Sequence, residues 1–222
     1  MQKIIVAIDE FESSIFKKTI DCLDSSLCMV KIGSVAFNSL GHEVIDYVAK
    51  MGFDIFLDLK LHDIPNTVKK SVEVLRSLPI NMLTVHISGG KNMISVAVEA
   101  VEKTGISVIG VTALTSLSDD DTFEIYKRSS SDQVNCMLDM AEKTGIHGVV
   151  CSPHELKQAK KRSSLLTVIP GIRLHKSNDD QKRVMTPKEA INLGADYIVI
   201  GRPITQSSDI SKSLLEIYES IN

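Results

Sequence analysis

Asp54-Ile55-Phe56-Leu57-Asp58-Leu59-Lys60-Leu61-His62-Asp63-Ile64-Pro65-Asn66-Thr67 is the stretch on which the fold turns. Asp54 to Lys60 reads as a β-strand. Side chains alternate along a strand, so Phe56, Asp58 and Lys60 share one face while Leu57 and Leu59 share the other. A strand apolar on both faces belongs inside a sheet covered by helices. Pro65 then sits where a helix has no use for an N–H, at its first position. One strand, a short loop and a helix make one βα unit.

The same unit recurs in both directions. Further strand candidates are Lys3 to Asp9, Cys28 to Ile32, Asn81 to His86, Ser107 to Thr112, Gly148 to Cys151, Leu166 to Ile169 and Tyr197 to Ile200, each followed by an amphipathic stretch. Ser39 is expected to open the second helix. Thr186-Pro187-Lys188-Glu189 reads as an N-cap, a first-position proline and a capping-box acid, and Gly52, Gly105, Gly145 and Gly194 are expected to stop helices. Eight units in 222 residues predict an α/β fold, a (β/α)8 TIM barrel in a single domain spanning residues 1–222. A doubly wound open sheet is the alternative, because a pattern of elements does not prove closure.

Composition narrows the partners. A net charge of -3 and no block of Lys or Arg leave no basic face for nucleic acid or for a membrane surface. Cys22, Cys28, Cys136 and Cys151 form no CxxC pair and no zinc spacing with histidine, which predicts reduced structural thiols and no metal. The N-terminal run Lys3-Ile4-Ile5-Val6-Ala7-Ile8-Asp9 lacks the layout of a signal peptide, and no apolar run approaches the ~18 residues of a membrane span. A cytoplasmic enzyme is expected.

Barrels of this kind keep their chemistry at the C-terminal ends of the strands. Here those ends offer Asp9, Lys31, Asp58, Lys60, His86, Thr112, Ser152, Arg173 and Arg202. A charge at one strand end is usually solvated rim, but several lysines and aspartates share this mouth. An inward Asp58–Lys60 pair could be a buried ion pair; desolvation makes such pairs poor sources of stability, so function is the more economical reading. Pro170-Gly171-Ile172-Arg173 and Gly201-Arg202-Pro203-Ile204 fall after strands seven and eight, where glycine N–H groups and arginine commonly hold a phosphate. The plainer reading is two glycine turns with surface arginines. Between them, Leu174 to Arg183 reads as a solvated loop that beside a phosphate site would serve as a lid. Ser88-Gly89-Gly90-Lys91 is not a P-loop and His42-Glu43 is not a zinc motif. His62 and His86 suit hydrogen bonding better than ligation.

In these blocks, and in Asp180-Gln181-Lys182-Arg183-Val184-Met185-Thr186-Pro187, the chain resembles the orotidine 5'-monophosphate decarboxylase family over nearly its whole length. The resemblance implies a cofactor-free decarboxylase that binds the nucleotide orotidine 5'-monophosphate and releases UMP and CO2. It implies that Lys31, Asp58, Lys60 and Asp63 form an alternating charge array, that Asp9 and Thr115 hold ribose and base, and that Arg173, Gln181, Gly201 and Arg202 hold the phosphate. Thr112 and Ser116 remain alternatives to Thr115, since that stretch can be slid by a residue or two. It further implies a homodimer in which Asp63, Ile64 and Thr67 serve the partner's site. Two rivals stand beside this reading: a magnesium-dependent sugar-phosphate enzyme with the same Asp-x-Lys-x-x-Asp core, and a catalytically silent sensor of a phosphate ligand.

Overall fold

A computed structural model describes residues 2–173 and 185–222. Its strands are β1 (Ile4–Ile8), β2 (Cys28–Gly33), β3 (Ile55–Leu61), β4 (Met82–His86), β5 (Ser107–Val111), β6 (Gly148–Val150), β7 (Leu166–Ile169) and β8 (Tyr197–Ile200). All pair parallel in sequence order, and β8 closes on β1 through Ile4↔Ile198, Ile5↔Val199 and Val6↔Ile200. Closure decides for the barrel over the open sheet. Every expected strand is present, its ends shifted by no more than a residue.

Alternation along the strands divides the apolar residues between two cores. Ile5, Ala7, Met29, Phe56, Met82, Ile109, Val168 and Val199 pack against one another inside the barrel. Their neighbours in sequence, among them Ile4, Val6, Val30, Ile55, Leu57, Leu83, Val108 and Ile198, point outward and meet the helices. Fully burying one such side chain contributes roughly 1.5–3 kcal/mol, so a one-residue slip in any strand would be strongly opposed. Phe56 lies on the inner face and Leu57 on the outer, as the alternation requires.

Local signals place most helix ends. Pro65 is the first residue of the helix Pro65–Leu75. Thr186 Oγ1 accepts from the N–H of Glu189 at 3.3 Å and Glu189 Oε2 accepts from the N–H of Thr186 at 2.9 Å, the expected capping box. Gly52, Gly105, Gly145 and Gly194 all take left-handed φ values, from 67° to 91°. Ser39 is a correction: it lies inside the helix Ser34–Leu40 and opens nothing. β2 runs straight into that helix, Gly41 ends it with a φ of 70°, and the next helix, Glu43–Lys50, starts beyond the break.

Candidate active site

The inner core stops short of the C-terminal strand ends, leaving a cavity of about 540 Å³. Its floor is apolar, formed by Ala7, Phe56, Val111, Val150, Val168 and Val199. Its walls carry Asp9, Lys31, Asp58 and Lys60 from β1 to β3, Thr115 after β5, and Arg173, Gly201 and Arg202 after β7 and β8. In a ring of eight strands β3 stands opposite β7, so Lys60 and Arg173 rise from facing strands, while Lys31 on β2 and Arg202 after β8 stand two strands apart.

Asp58 is the hub of the lysine wall. Its Oδ2 lies 2.8 Å from Lys60 Nζ and 3.3 Å from Lys31 Nζ, and its Oδ1 accepts from Thr84 Oγ1 at 3.0 Å. Lys31 Nζ also reaches Asp9 Oδ1 at 3.5 Å. Asp58 is only 7% exposed. Burial pushes its carboxyl upward, but the ammoniums of Lys31 and Lys60, with the hydrogen bonds from Lys60 and Thr84, outweigh that and hold it below the ordinary carboxylate range. Asp58 therefore stays ionised, and the positive charges on either side stay anchored.

Simple alternation does not bring Lys60 here. The β3–β4 register shifts between Leu57 and Leu61, and Lys60 has a φ of 52°. Left-handed backbone costs a residue with a Cβ roughly 1–2 kcal/mol, which surrounding structure must offset. The N–H of Lys60 donates to Thr84 Oγ1 at 2.8 Å, a side chain replacing the carbonyl of a regular ladder. Asp58 and Lys60 meet, as the sequence suggested, through a bulge rather than an unbroken strand. Beside them His62 and His86 face each other with ring centroids 5.2 Å apart, and burial, then the proximity of His62 and Lys60, holds His86 below the usual histidine range.

On the arginine wall, Gly171 turns the chain with a φ of 76° and Arg173 is buried, its backbone N–H donating to the carbonyl of Met185 at 3.0 Å. Gly201 precedes the helix Arg202–Thr205. A Cβ at Gly201 would meet Ala7 at an ordinary 3.5 Å, so packing does not demand glycine there, and its absence keeps the cavity wall open.

The other predicted residues separate clearly. Thr115 lines the cavity, whereas Thr112 is buried and spends its hydroxyl on the carbonyl of Val150 at 2.9 Å. Asp63, Ile64 and Thr67 are exposed and lie outside the lining of their own chain's cavity; Asp63 Oδ1 accepts from the N–H of Ile64 at 2.6 Å. Gln181 and the lid reading of Leu174 to Arg183 lie outside the described residues. Sequence reasoning missed Thr84 and, in the lining, Glu10, Cys151, Thr205 and Gln206. Thr205 and Gln206 stand three and four residues after Arg202, a helical spacing that could have found them. Among the described residues no group of three His, Cys, Asp or Glu could hold a metal ion, and no helix is long and apolar enough to cross a membrane.

A model of the Orotidine 5'-phosphate decarboxylase / HUMPS family matches residues 2–217. The chain belongs to this family. An orotidine 5'-phosphate decarboxylase of Wolbachia pipientis subsp. Culex pipiens is 44% identical, over 100% of this chain and 99% of that protein. One from Ehrlichia canis is 43% identical over 99% and 97%. The crystal structure of orotidine 5'-phosphate decarboxylase from Lactobacillus acidophilus superposes with a TM-score of 0.87 at 34% identity, covering 100% of both chains. The family resemblance and the barrel expected from the sequence are thus both borne out.

Proposed function

We propose that this protein is an orotidine 5'-phosphate decarboxylase, converting orotidine 5'-monophosphate to UMP and CO2 in pyrimidine biosynthesis. The observation that carries the reading is the Lys31–Asp58–Lys60 array lining one cavity together with Arg173 and Arg202, in a chain whose relatives at more than 40% identity bear that name.

Loss of CO2 breaks the bond from C6 to the carboxylate and leaves the electron pair in the plane of the pyrimidine, where no carbonyl can delocalise it. The site must therefore stabilise charge by pre-arranged electrostatics. Lys60 attracts the developing carbanion and then delivers a proton to C6, giving UMP; its amine is re-protonated from water. Asp58 holds Lys60 in place and, lying near the departing carboxylate, adds like-charge repulsion that vanishes with neutral CO2. Lys31 fixes Asp58 and positions a ribose hydroxyl, with Asp9 beside it, while Thr115 meets the base. Arg173, Gly201 and Arg202, together with Gln181, hold the phosphate. Its binding energy, spent far from C6, lowers the barrier to reaction. Asp63, Ile64 and Thr67 complete the neighbouring site of a cytoplasmic homodimer, in keeping with their exposure and their absence from the lining of their own cavity.

The magnesium-dependent rival fits the residues poorly. Lys31 contacts both Asp9 and Asp58, so these two cavity carboxylates already face an ammonium that would repel a dication. No cofactor takes part in the proposed reaction. Orotidine 5'-monophosphate followed spectrophotometrically, with and without EDTA, tests the reading: turnover that survives chelation is expected, and no turnover would overturn it. Lys60→Ala should lower kcat by at least ~10²–10⁴, the loss typical of a missing general acid, with UMP binding little changed. Turnover within about tenfold of wild type would remove Lys60 as proton donor.

A further inference from the structure

Thr84 lies on the inner face of β4, is wholly buried, and does not line the cavity. Its hydroxyl is nonetheless shared between the two central residues of the lysine wall. It accepts the N–H of Lys60 at 2.8 Å and donates to Asp58 Oδ1 at 3.0 Å. Both bonds occur where the β3–β4 register shifts and where Lys60 adopts a φ of 52°. A hydroxyl suits this place because it donates and accepts at once. Valine has nearly the same shape and can do neither.

We infer that Thr84 is a positioning residue: it closes the bulge of β3, holds the backbone of Lys60 in its left-handed turn, and aims the Asp58 carboxylate at the Lys60 ammonium. Without it, the N–H of Lys60 loses its partner and the backbone has less reason to hold that turn. Asp58 loses the bond that fixes its plane while keeping both ammoniums. Lys60 then points less accurately, although the cavity and the phosphate wall are untouched.

This inference rests on the decarboxylase reading, so wild-type turnover of orotidine 5'-monophosphate is established first; its absence would sink that reading and not this one. Thr84→Val should lower kcat about 10- to 100-fold, the scale of an ångström's misplacement in a pre-arranged site. KM and UMP affinity should stay within about twofold. Thr84→Ser, which restores a hydroxyl, should recover kcat to within about threefold of wild type. The Thr84 bond helps to hold the Asp58 carboxyl down, so the acid limb of kcat should move to higher pH in the valine variant and return in the serine variant. If valine does not yield folded protein, Thr84→Cys supplies a weakly bonding group of similar size and carries the same expectation in smaller degree. A valine or cysteine variant with wild-type kcat, a serine variant as poor as valine, or a loss expressed in KM rather than kcat would each overturn the proposal.

Discussion

Replacing Asp58 by Asn keeps the shape of the hub and removes its charge. Two ammoniums, at 2.8 Å and 3.3 Å, would then face a neutral amide. At an effective dielectric near 20, Coulomb's law gives about 5–6 kcal/mol of gross attraction to each. Desolvation offsets most of this, and breaking a buried pair from one side usually costs about 3–5 kcal/mol. The Lys60 side chain is 36% exposed and can turn to water, whereas Lys31 at 11% cannot. The lower end, about 3 kcal/mol, is therefore appropriate. For a chain of this length each kcal/mol lowers Tm by roughly 2–4 °C, so Asp58→Asn should melt roughly 6–12 °C below wild type at pH 7. Circular dichroism melts of the ligand-free protein measure this directly. Adding Lys31→Met should restore part of the loss, because its source is the buried Lys31 charge, left with only the 3.5 Å contact to the exposed Asp9. A drop of less than about 2 °C, or no recovery in the double variant, would show that the array is not held together by the Asp58 charge.

Arg202→Ala should cost roughly 1.5–3 kcal/mol in kcat/KM on orotidine 5'-monophosphate, the worth of charged hydrogen bonds, and little on a substrate lacking phosphate; equal losses on both would remove Arg202 from the phosphate site. Mixing inactive Lys60→Ala and Asp63→Asn chains tests the shared site: with random pairing at equal amounts, half the dimers are mixed and half their sites intact, so about a quarter of wild-type activity should return, while verified exchange without recovery would place Asp63 in its own chain's site. Stability should also fall with acid. His86 titrates below its ordinary 6.5 in the folded state, so as pH drops below about 6.5 the unfolded chain takes up a proton that the native chain refuses. Asp58 acts in the same direction lower down, its contribution present above the ordinary carboxylate pKa and lost as pH falls through its depressed folded value. Denaturant titrations at pH 7.5 and 5.5 should show less of this loss in His86→Gln than in wild type; an equal loss would exclude His86 as a source.

The barrel was legible because its physical cause is periodic: strands that pack on both faces must be apolar at nearly every position, and the helices between them must not be. Ser39 misled because a serine suits a cap by chemistry alone, whereas the break was set by the backbone freedom of Gly41 two residues later. The lysine wall was legible as composition, since Lys31, Asp58 and Lys60 stand at strand ends, but its geometry was not. Nothing about a lysine announces a left-handed φ, and a β-branched threonine within Met82–His86 looks like any other strand residue. Thr112 and Thr115 could not be separated by type, because only the partner of each hydroxyl and the shape of the cavity distinguish a structural threonine from one facing the open space.

The filled barrel beneath the cavity also governs traffic. With Ala7, Phe56, Val168 and Val199 packed into its base, the reaction space is a cul-de-sac. Among the described residues the packed base leaves the cavity open toward the C-terminal ends of the strands, the side by which nucleotide, water and a small neutral product would pass. Covering that side would dry the whole space at once, and a gas molecule leaving by it would pass the nucleotide from which it came.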